Sequence, residues 1–188
     1  MQLRRKARRL DGERVELRRH QRQNYPLYEQ WYGDREVWRL TSWATAPMQP
    51  AVVDRLFDER DLSLTDDSFA IHPKGERRPV GVISLMNINE SNASADLSVI
   101  IGPEEARNKG YGREAISLIV DYGFQRLHLH RIGLSVFEFN EAAIATYERL
   151  GFRKEGRLRQ AIDRDGLLHD ALLMSLLEPE WDSRKKSG

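Results

Sequence analysis

The sequence contains no cysteine. That absence excludes disulfides, thiolate zinc sites and a cysteine nucleophile together. It also fits a cytoplasmic location, where structural disulfides are rare. No apolar run approaches the roughly 18 residues of a membrane-spanning helix, so no membrane partner is expected. Charge of one sign is not in excess either. Lys and Arg number 30 against 29 Asp and Glu, a net charge of +1. That balance argues against a nucleic-acid coat, and no specific nucleic-acid partner is expected. The five histidines show no ligand spacing with carboxylates, so no metal site is expected. His128 and His130 face the same way in a strand, which is commonly just surface.

What is present suits one globular domain. The chain has 188 residues, 40% hydrophobic and 31% charged. Residues 1–10, MQLRRKARRL, read as a basic, solvated arm with no long apolar stretch behind it. Residues 11–180 read as a single domain and 181–188 as a polar tail.

Hydrophobic periodicity orders the domain. An edge strand is expected over 14–17, after the Asp11-Gly12 turn. Tyr28, Trp31 and Tyr32 stand at i, i+3, i+4 and form a core-facing helix stripe. A loop with Trp43, Pro47 and Pro50 precedes a short helix at 51–62. Strands at 68–71, 79–87 and 96–101 follow as a meander. Then come a helix over 112–126, a strand over 132–139 and a helix over 141–150, which Gly151 ends as a C-cap. Strands at 152–162 and 167–177 flank Asp165-Gly166, a hairpin turn. This pattern gives an α/β (α+β) fold, with a mixed central sheet of about seven strands flanked by helices.

Between the strand ending at 101 and the helix starting at 112 lies RNKGYGRE, residues 107–114. Glycines let backbone approach a ligand, and the helix N-terminus behind them attracts phosphate. Gly110, Gly112 and Ala115 fit the dinucleotide fingerprint G-x-G-x-x-A. That fingerprint demands an acidic residue about 20 positions on, at the end of the next strand. His130 stands there instead, and Glu138 comes late. Ala115 is then better read as packing the helix on the sheet. The Walker pattern fails too, because no Gly-Lys-Ser/Thr is present.

One strand further on, residues 140–152 read NEAAIATYERLGF. With these two segments the chain resembles the GCN5-related N-acetyltransferase (GNAT) superfamily. Arg107, Gly110 and Gly112 match its Arg/Gln-x-x-Gly-x-Gly/Ala signature, and Asn140, Ile144, Tyr147 and Leu150-Gly151-Phe152 match its next segment. Within the superfamily, ADLSVIIGPEEARNKGYG and the closing GRLRQAIDRDGLLHDALLMSLLEPEW look like the RimJ/RimL group, which acetylates α-amino groups of ribosomal proteins. Spermidine acetyltransferases and several antibiotic-modifying enzymes share these features.

The resemblance implies acetyl-CoA as co-substrate, no metal, and direct attack on the thioester by a primary amine. A peptide α-amine is the expected acceptor; a polyamine or aminoglycoside is the alternative, and a non-catalytic acyl-CoA sensor is the rival from another class. Dimers occur among relatives, which makes a homodimer one expected assembly. It implies that two parallel strands splay apart where CoA enters. Val99, Ile100 and Ile101 would offer backbone groups to the pantetheine arm. Arg107, Asn108, Lys109, Gly110, Tyr111, Gly112 and Arg113 would hold the pyrophosphate. Asn140 would bond the pantetheine or a water, and also reads as a plain helix N-cap. Tyr147 would protonate the departing thiolate.

The chemistry asks for more than a cofactor cradle. An α-amine with pKa about 8 is roughly a tenth neutral at pH 7, whereas a lysine-like nitrogen at about 10.4 is neutral only about one part in 2,500. A base is therefore expected; the resemblance prefers Asp96, which stands where related proteins often carry Glu at the start of the central strand, over Glu138 and the turn residue Glu90. Trp31, Trp38 and Trp43 are candidates for shaping the acceptor cleft. The acidic bias of 54–67 would suit a cationic amine, although a solvated helix face explains it more simply.

Overall fold

The computed structural model of the chain describes residues 6–187, with 184–187 described by their backbone alone. Residues 1–5 of the expected arm and 188 of the expected tail lie outside the described residues. Strands β1 (Arg9–Asp11) and β2 (Val15–Arg18) form a hairpin, in which Gly12 N donates to Val15 O at 2.9 Å. Helices α1 (Tyr25–Gly33), α2 (Arg35–Thr41) and α3 (Pro50–Leu62) come next. The meander is β3 (Asp67–Pro73), β4 (Gly81–Asn89) and β5 (Ser94–Ile101). Helix α4 (Tyr111–Arg126), strand β6 (Arg131–Phe137) and helix α5 (Glu141–Leu150) follow. Strands β7 (Arg153–Arg164) and β8 (Leu167–Leu177) lead into helix α6 (Glu178–Ser187).

Local chemistry explains several of these boundaries. Asp34 caps α2, its carboxylate accepting from Val37 N at 2.8 Å. Gly151 closes α5 at φ 96°, a conformation that costs an L side chain energy. Asp165 and Gly166 both take positive φ, 54° and 82°, as the two central residues of a type I′ hairpin turn must.

The described strands form one sheet in the order β1-β2-β3-β4-β5-β6-β8-β7. All neighbours run antiparallel except β5 and β6. Alternation along the strands separates two cores. Phe69, Ile71, Ile83 and Leu85 share a core with Ile116, Ile119 and Val120 of α4 and with Tyr147 and Leu150 of α5. Ala70 and Val82 face the other way, onto Tyr28 and Trp31 of α1 and Val53 and Phe57 of α3. Ala115 is fully buried in the first core, as its packing reading requires. Tyr28 and Trp31 are buried, as the stripe predicts, while Tyr32 is partly buried against the same cluster.

Two expectations change. The sheet has eight strands rather than about seven, because β1 forms inside the stretch read as a free arm. Its pairing turns β2 from an edge into an interior strand, with Val15 and Leu17 fully buried. Glu16 between them is only 4% exposed, and its carboxylate is held by the guanidinium groups of Arg9 and Arg18. The polar tail also differs. Residues 178–187 are helical, and Trp181 is buried, its indole N–H donating to Asp121 Oδ1 at 2.6 Å. A lone aromatic among charges gave no helical period, so only the tertiary contact reveals this docking.

Replacing Trp181 by Ala is expected to lower unfolding free energy by about 3 kcal/mol, the usual cost of emptying a large buried aromatic site. Denaturant titration checks this; a freely solvated tail would show no change.

Candidate active site

Only three rungs join β5 to β6: Ser94 to Arg131, Ala95 to Ile132, and Asp96 to Gly133. Beyond them β5 follows β4 as far as the Gly81–Ile101 rung, while β6 follows β8 as far as Phe137–Ala171. Residues 97–101 and 134–137 therefore diverge, each strand with one unpaired backbone edge. A cavity of about 1010 Å³ fills this fork. Val99, Ile100 and Ile101 line one arm, and Leu134, Ser135 and Val136 line the other. Unpaired backbone N–H and C=O groups here are available to a ligand with amides of its own.

At the open end of the fork stands the RNKGYGRE loop. Asn108 and Gly110 both take left-handed conformations, φ 59° and 81°. Gly110 caps α4, whose first N–H groups have no partners within the helix and carry its positive dipole end. A Cβ on Gly110 would lie 2.9 Å from the Arg14 guanidinium. Gly112 sits against Ile101, with ordinary 3.5 Å clearance for a Cβ. Arg107 braces the loop: it donates to Gly102 O at 2.9 Å and to Glu36 Oε2 at 2.8 Å. Arg107, Asn108, Gly110, Tyr111, Gly112 and Arg113 line the cavity; Lys109 faces a neighbouring cleft instead.

Asn140 and Tyr147 of the second segment line the same cavity. Asn140 is an N-cap, its Oδ1 accepting from Ala143 N at 3.3 Å, and its Nδ2 donates to Leu40 O at 3.2 Å. Tyr147 packs edge-on against Phe152 and is 8% exposed. Burial alone pushes its phenol up to about 12, so it carries its proton throughout the neutral range.

Asp96 lies at the last rung, on the cavity wall. It alternates with Ala95 and Leu97, which belong to the core that holds Tyr147. Asp96 therefore faces the opposite side of the sheet, and only the open fork connects the two groups. Opposite it Gly133 leaves a space. A Cβ built there would sit 3.5 Å from Asp96 Oδ1 and 3.8 Å from an Arg131 guanidinium nitrogen. Arg131 donates to Glu155 through two bonds of 2.7 and 2.5 Å, and the Ser175 hydroxyl donates to Glu155 Oε1 at 2.6 Å. The Arg131 and Ser175 hydrogen bonds pull Glu155 down to about 2, so it stays ionised.

Other expected residues are not brought to the fork. Glu138 is outside the cavity; it pairs with Arg157 at 3.1 Å and accepts from Asp170 N at 3.0 Å, locking the β7–β8 hairpin. Glu90 is exposed in the turn after β4. Trp31 belongs to the α1–α3 core, its ring so close to Gly102 that a Cβ there would overlap it at 2.2 Å. Trp38 supports a loop: its indole donates to Ala44 O at 2.8 Å beneath the Arg164 guanidinium. Of the three tryptophans only Trp43 lines the cavity, packed on Phe137. The sequence reading passed over Gly133, Arg131 and Glu155. A glycine inside a strand was the available signal for Gly133; the Arg131–Glu155 clamp joins residues 24 apart and left none.

A forked sheet with a glycine loop and helix N-terminus at its mouth defines an acyltransferase that draws on a CoA thioester. Unpaired strand edges, left-handed loop and buried phenol all fit that co-substrate. Among the described residues no cluster of His, Asp and Glu is arranged to hold a metal ion. Comparison with known proteins agrees. Residues 14–153 match the acetyltransferase (GNAT) domain, and the chain belongs to that family and is an N-acetyltransferase using acetyl-CoA. It is 29% identical to the spermidine N(1)-acetyltransferase of Escherichia coli K12 over 174 residues, 92% of this chain and 91% of that one. A Bacillus subtilis protein provisionally named a ribosomal N-acetyltransferase is 34% identical over 105 residues, 56% of this chain and 57% of that one. Among solved structures, the Vibrio cholerae spermidine N-acetyltransferase in complex with CoA and spermine superposes with a TM-score of 0.82 at 25% identity, covering 90% of this chain and 99% of that one.

Gly110→Ala is expected to cost about 1–2 kcal/mol of strain in the loop, from forcing a side chain into the left-handed region. Calorimetric titration should find acetyl-CoA affinity reduced about tenfold, whereas an unchanged affinity would remove the loop from the cradle.

Proposed function

We propose that this N-acetyltransferase acts on a small aliphatic polyamine rather than on a peptide α-amine. One observation carries the reading: the vacant space over Gly133, bounded by the Asp96 carboxylate at the closed end of the fork. Asp96 makes no direct ion pair among the described residues; the Arg131 guanidinium lies across the same space, and the Asp96 Oδ1 there faces an incoming amine. Likeness to a spermidine N(1)-acetyltransferase along nearly the whole chain supports the same choice, against a ribosomal likeness over little more than half. The RimJ/RimL resemblance and its peptide acceptor have the weaker support.

Roles follow from position and chemistry. Acetyl-CoA supplies an activated thioester. Backbone groups of Val99 and Ile101 hold its arm along β5, whereas those of Ile100 turn to β4, and the loop from Arg107 to Arg113 with the N-terminus of α4 receives its pyrophosphate. Asn140 keeps the start of α5 against the last turn of α2. The acceptor nitrogen enters from the face of Asp96. Being lysine-like, it is neutral only about one part in 2,500 at pH 7, so proton removal is a large part of the task. Asp96 accepts that proton, directly or through a water. Tyr147, on the other face, holds a proton at its hydroxyl for the departing sulfur. Trp43 walls the acceptor side.

Three outcomes test this. Thiol release from acetyl-CoA should be faster with spermidine than with peptides bearing free N-termini; the reverse order would restore the peptide acceptor, and binding without turnover of any amine would mark a sensor. Tyr147→Phe should lower kcat at least about 100-fold, the low end of general acid catalysis, with acetyl-CoA affinity nearly unchanged; an unaltered kcat would exclude the phenol. Gly133→Ala meets nothing closer than 3.5 Å and should fold normally, yet raise KM for the amine about tenfold by occupying its seat. Unchanged kinetics would locate the acceptor elsewhere.

A further inference from the structure

The β4–β5 ladder runs regularly from Gly81–Ile101 to Met86–Asp96 and then slips, resuming only at Asn89–Ser94. The residue at the start of the slip is Asn87, in the left-handed region at φ 52°. Two bonds fix the bulge: Asn87 N donates to Asp66 Oδ1 at 3.1 Å, and Ile88 N donates to Thr65 O at 2.8 Å. Ile88 is thereby returned to the core, 7% exposed. The Asn87 side chain is turned toward β5, and its Nδ2 donates to Asp96 Oδ2 at 2.9 Å.

The two oxygens of Asp96 are thus divided. Oδ2 is held by the Asn87 amide, and Oδ1 is the atom that faces the space over Gly133. Bulges beside active sites commonly re-aim a side chain. The residue type is informative as well. Gly, Asn and Asp tolerate the left-handed region best. Gly has no donor, and Asp would set a second carboxylate against Asp96. Of the three, Asn alone fills the conformation and donates a hydrogen bond.

We propose that Asn87 is a positioning residue for acetyl transfer: from its bulge in β4 it fixes the Asp96 carboxylate so that one oxygen faces the acceptor nitrogen. This rests on the assignment of Asp96 as proton acceptor. Asn87 touches neither acetyl-CoA nor the amine and acts only through Asp96.

Asn87→Gly separates the backbone from the amide, because glycine keeps the left-handed bulge without strain. Initial rates are measured with acetyl-CoA and spermidine, for Asn87→Gly, Asp96→Asn and the double variant. Asn87→Gly should lower kcat/KM for the amine about tenfold, carried by kcat, the scale of one hydrogen bond to a charged group. Acetyl-CoA affinity and Tm should be unchanged. In the Asp96→Asn background the same substitution should cost almost nothing, since coupled residues do not add. Asn87→Asp, which keeps the backbone preference and reverses the electrostatics, should be worse than Asn87→Gly. If Asp96→Asn is impaired but Asn87→Gly is not, or if the two losses simply add, Asn87 has no positioning role and the base assignment survives. If Asp96→Asn retains full activity, the base assignment itself fails, and the inference with it.

Discussion

Two neighbouring strands in one sheet normally share their whole length, and β5 and β6 share three rungs. The rest of each is committed to its other neighbour, β5 to β4 and β6 to β8. A wedge opens between them, and the site is built around it. Its walls carry backbone groups with no protein partner across the gap. Its closed end holds Asp96 and Gly133. Its mouth is covered by the loop that leads β5 into α4. Because strand side chains alternate, Asp96 and Tyr147 stand on opposite faces of the sheet, and the wedge is the passage between them.

The charged groups around the wedge are mostly neutralised in pairs. Arg107 is held by Glu36 and by the Gly102 carbonyl just past β5, and Arg131 by Glu155. Such pairs set geometry more than they add stability at exposed sites. Arg107 fixes the loop to the end of β5 and to α2, so the glycine loop and one cavity wall keep their relative positions. Arg131 forms one boundary of the space over Gly133. Asp96 differs in that its hydrogen bond is to a neutral amide, while Arg131 acts on it through space.

Much of the fold was legible because its signals are local. Asn140 and Gly151 bracket α5 at its observed ends, and Asp165-Gly166 marks the last hairpin. The glycine loop and the buried Ala115 were readable for the same reason: each depends on residues within one turn. The misses depend on distant partners. β1 is three residues among arginines, recognisable only once β2 is beside it. α6 has a polar sequence and one anchoring indole, whose partner lies 60 residues away. Trp31 and Trp38, candidates for the acceptor cleft, are engaged elsewhere, one by close packing on Gly102 and the other by a loop carbonyl and Arg164.

The sequence by itself determined the fold class, the glycine loop ahead of α4 and the ends of α5, because glycine conformation, helix capping and hydrophobic period act over a few residues. Only the tertiary structure decided which carboxylate reaches the fork. Asp96 and Glu138 each sit in or beside a strand flanking the wedge, and nothing in their own neighbourhoods ranks one above the other by geometry. The strands settle it: β5 ends its pairing with β6 at Asp96, while the β7–β8 hairpin claims Glu138 through Arg157 and Asp170 N. A side chain's chemistry is local, but its freedom to act depends on which partners the folded chain brings to it.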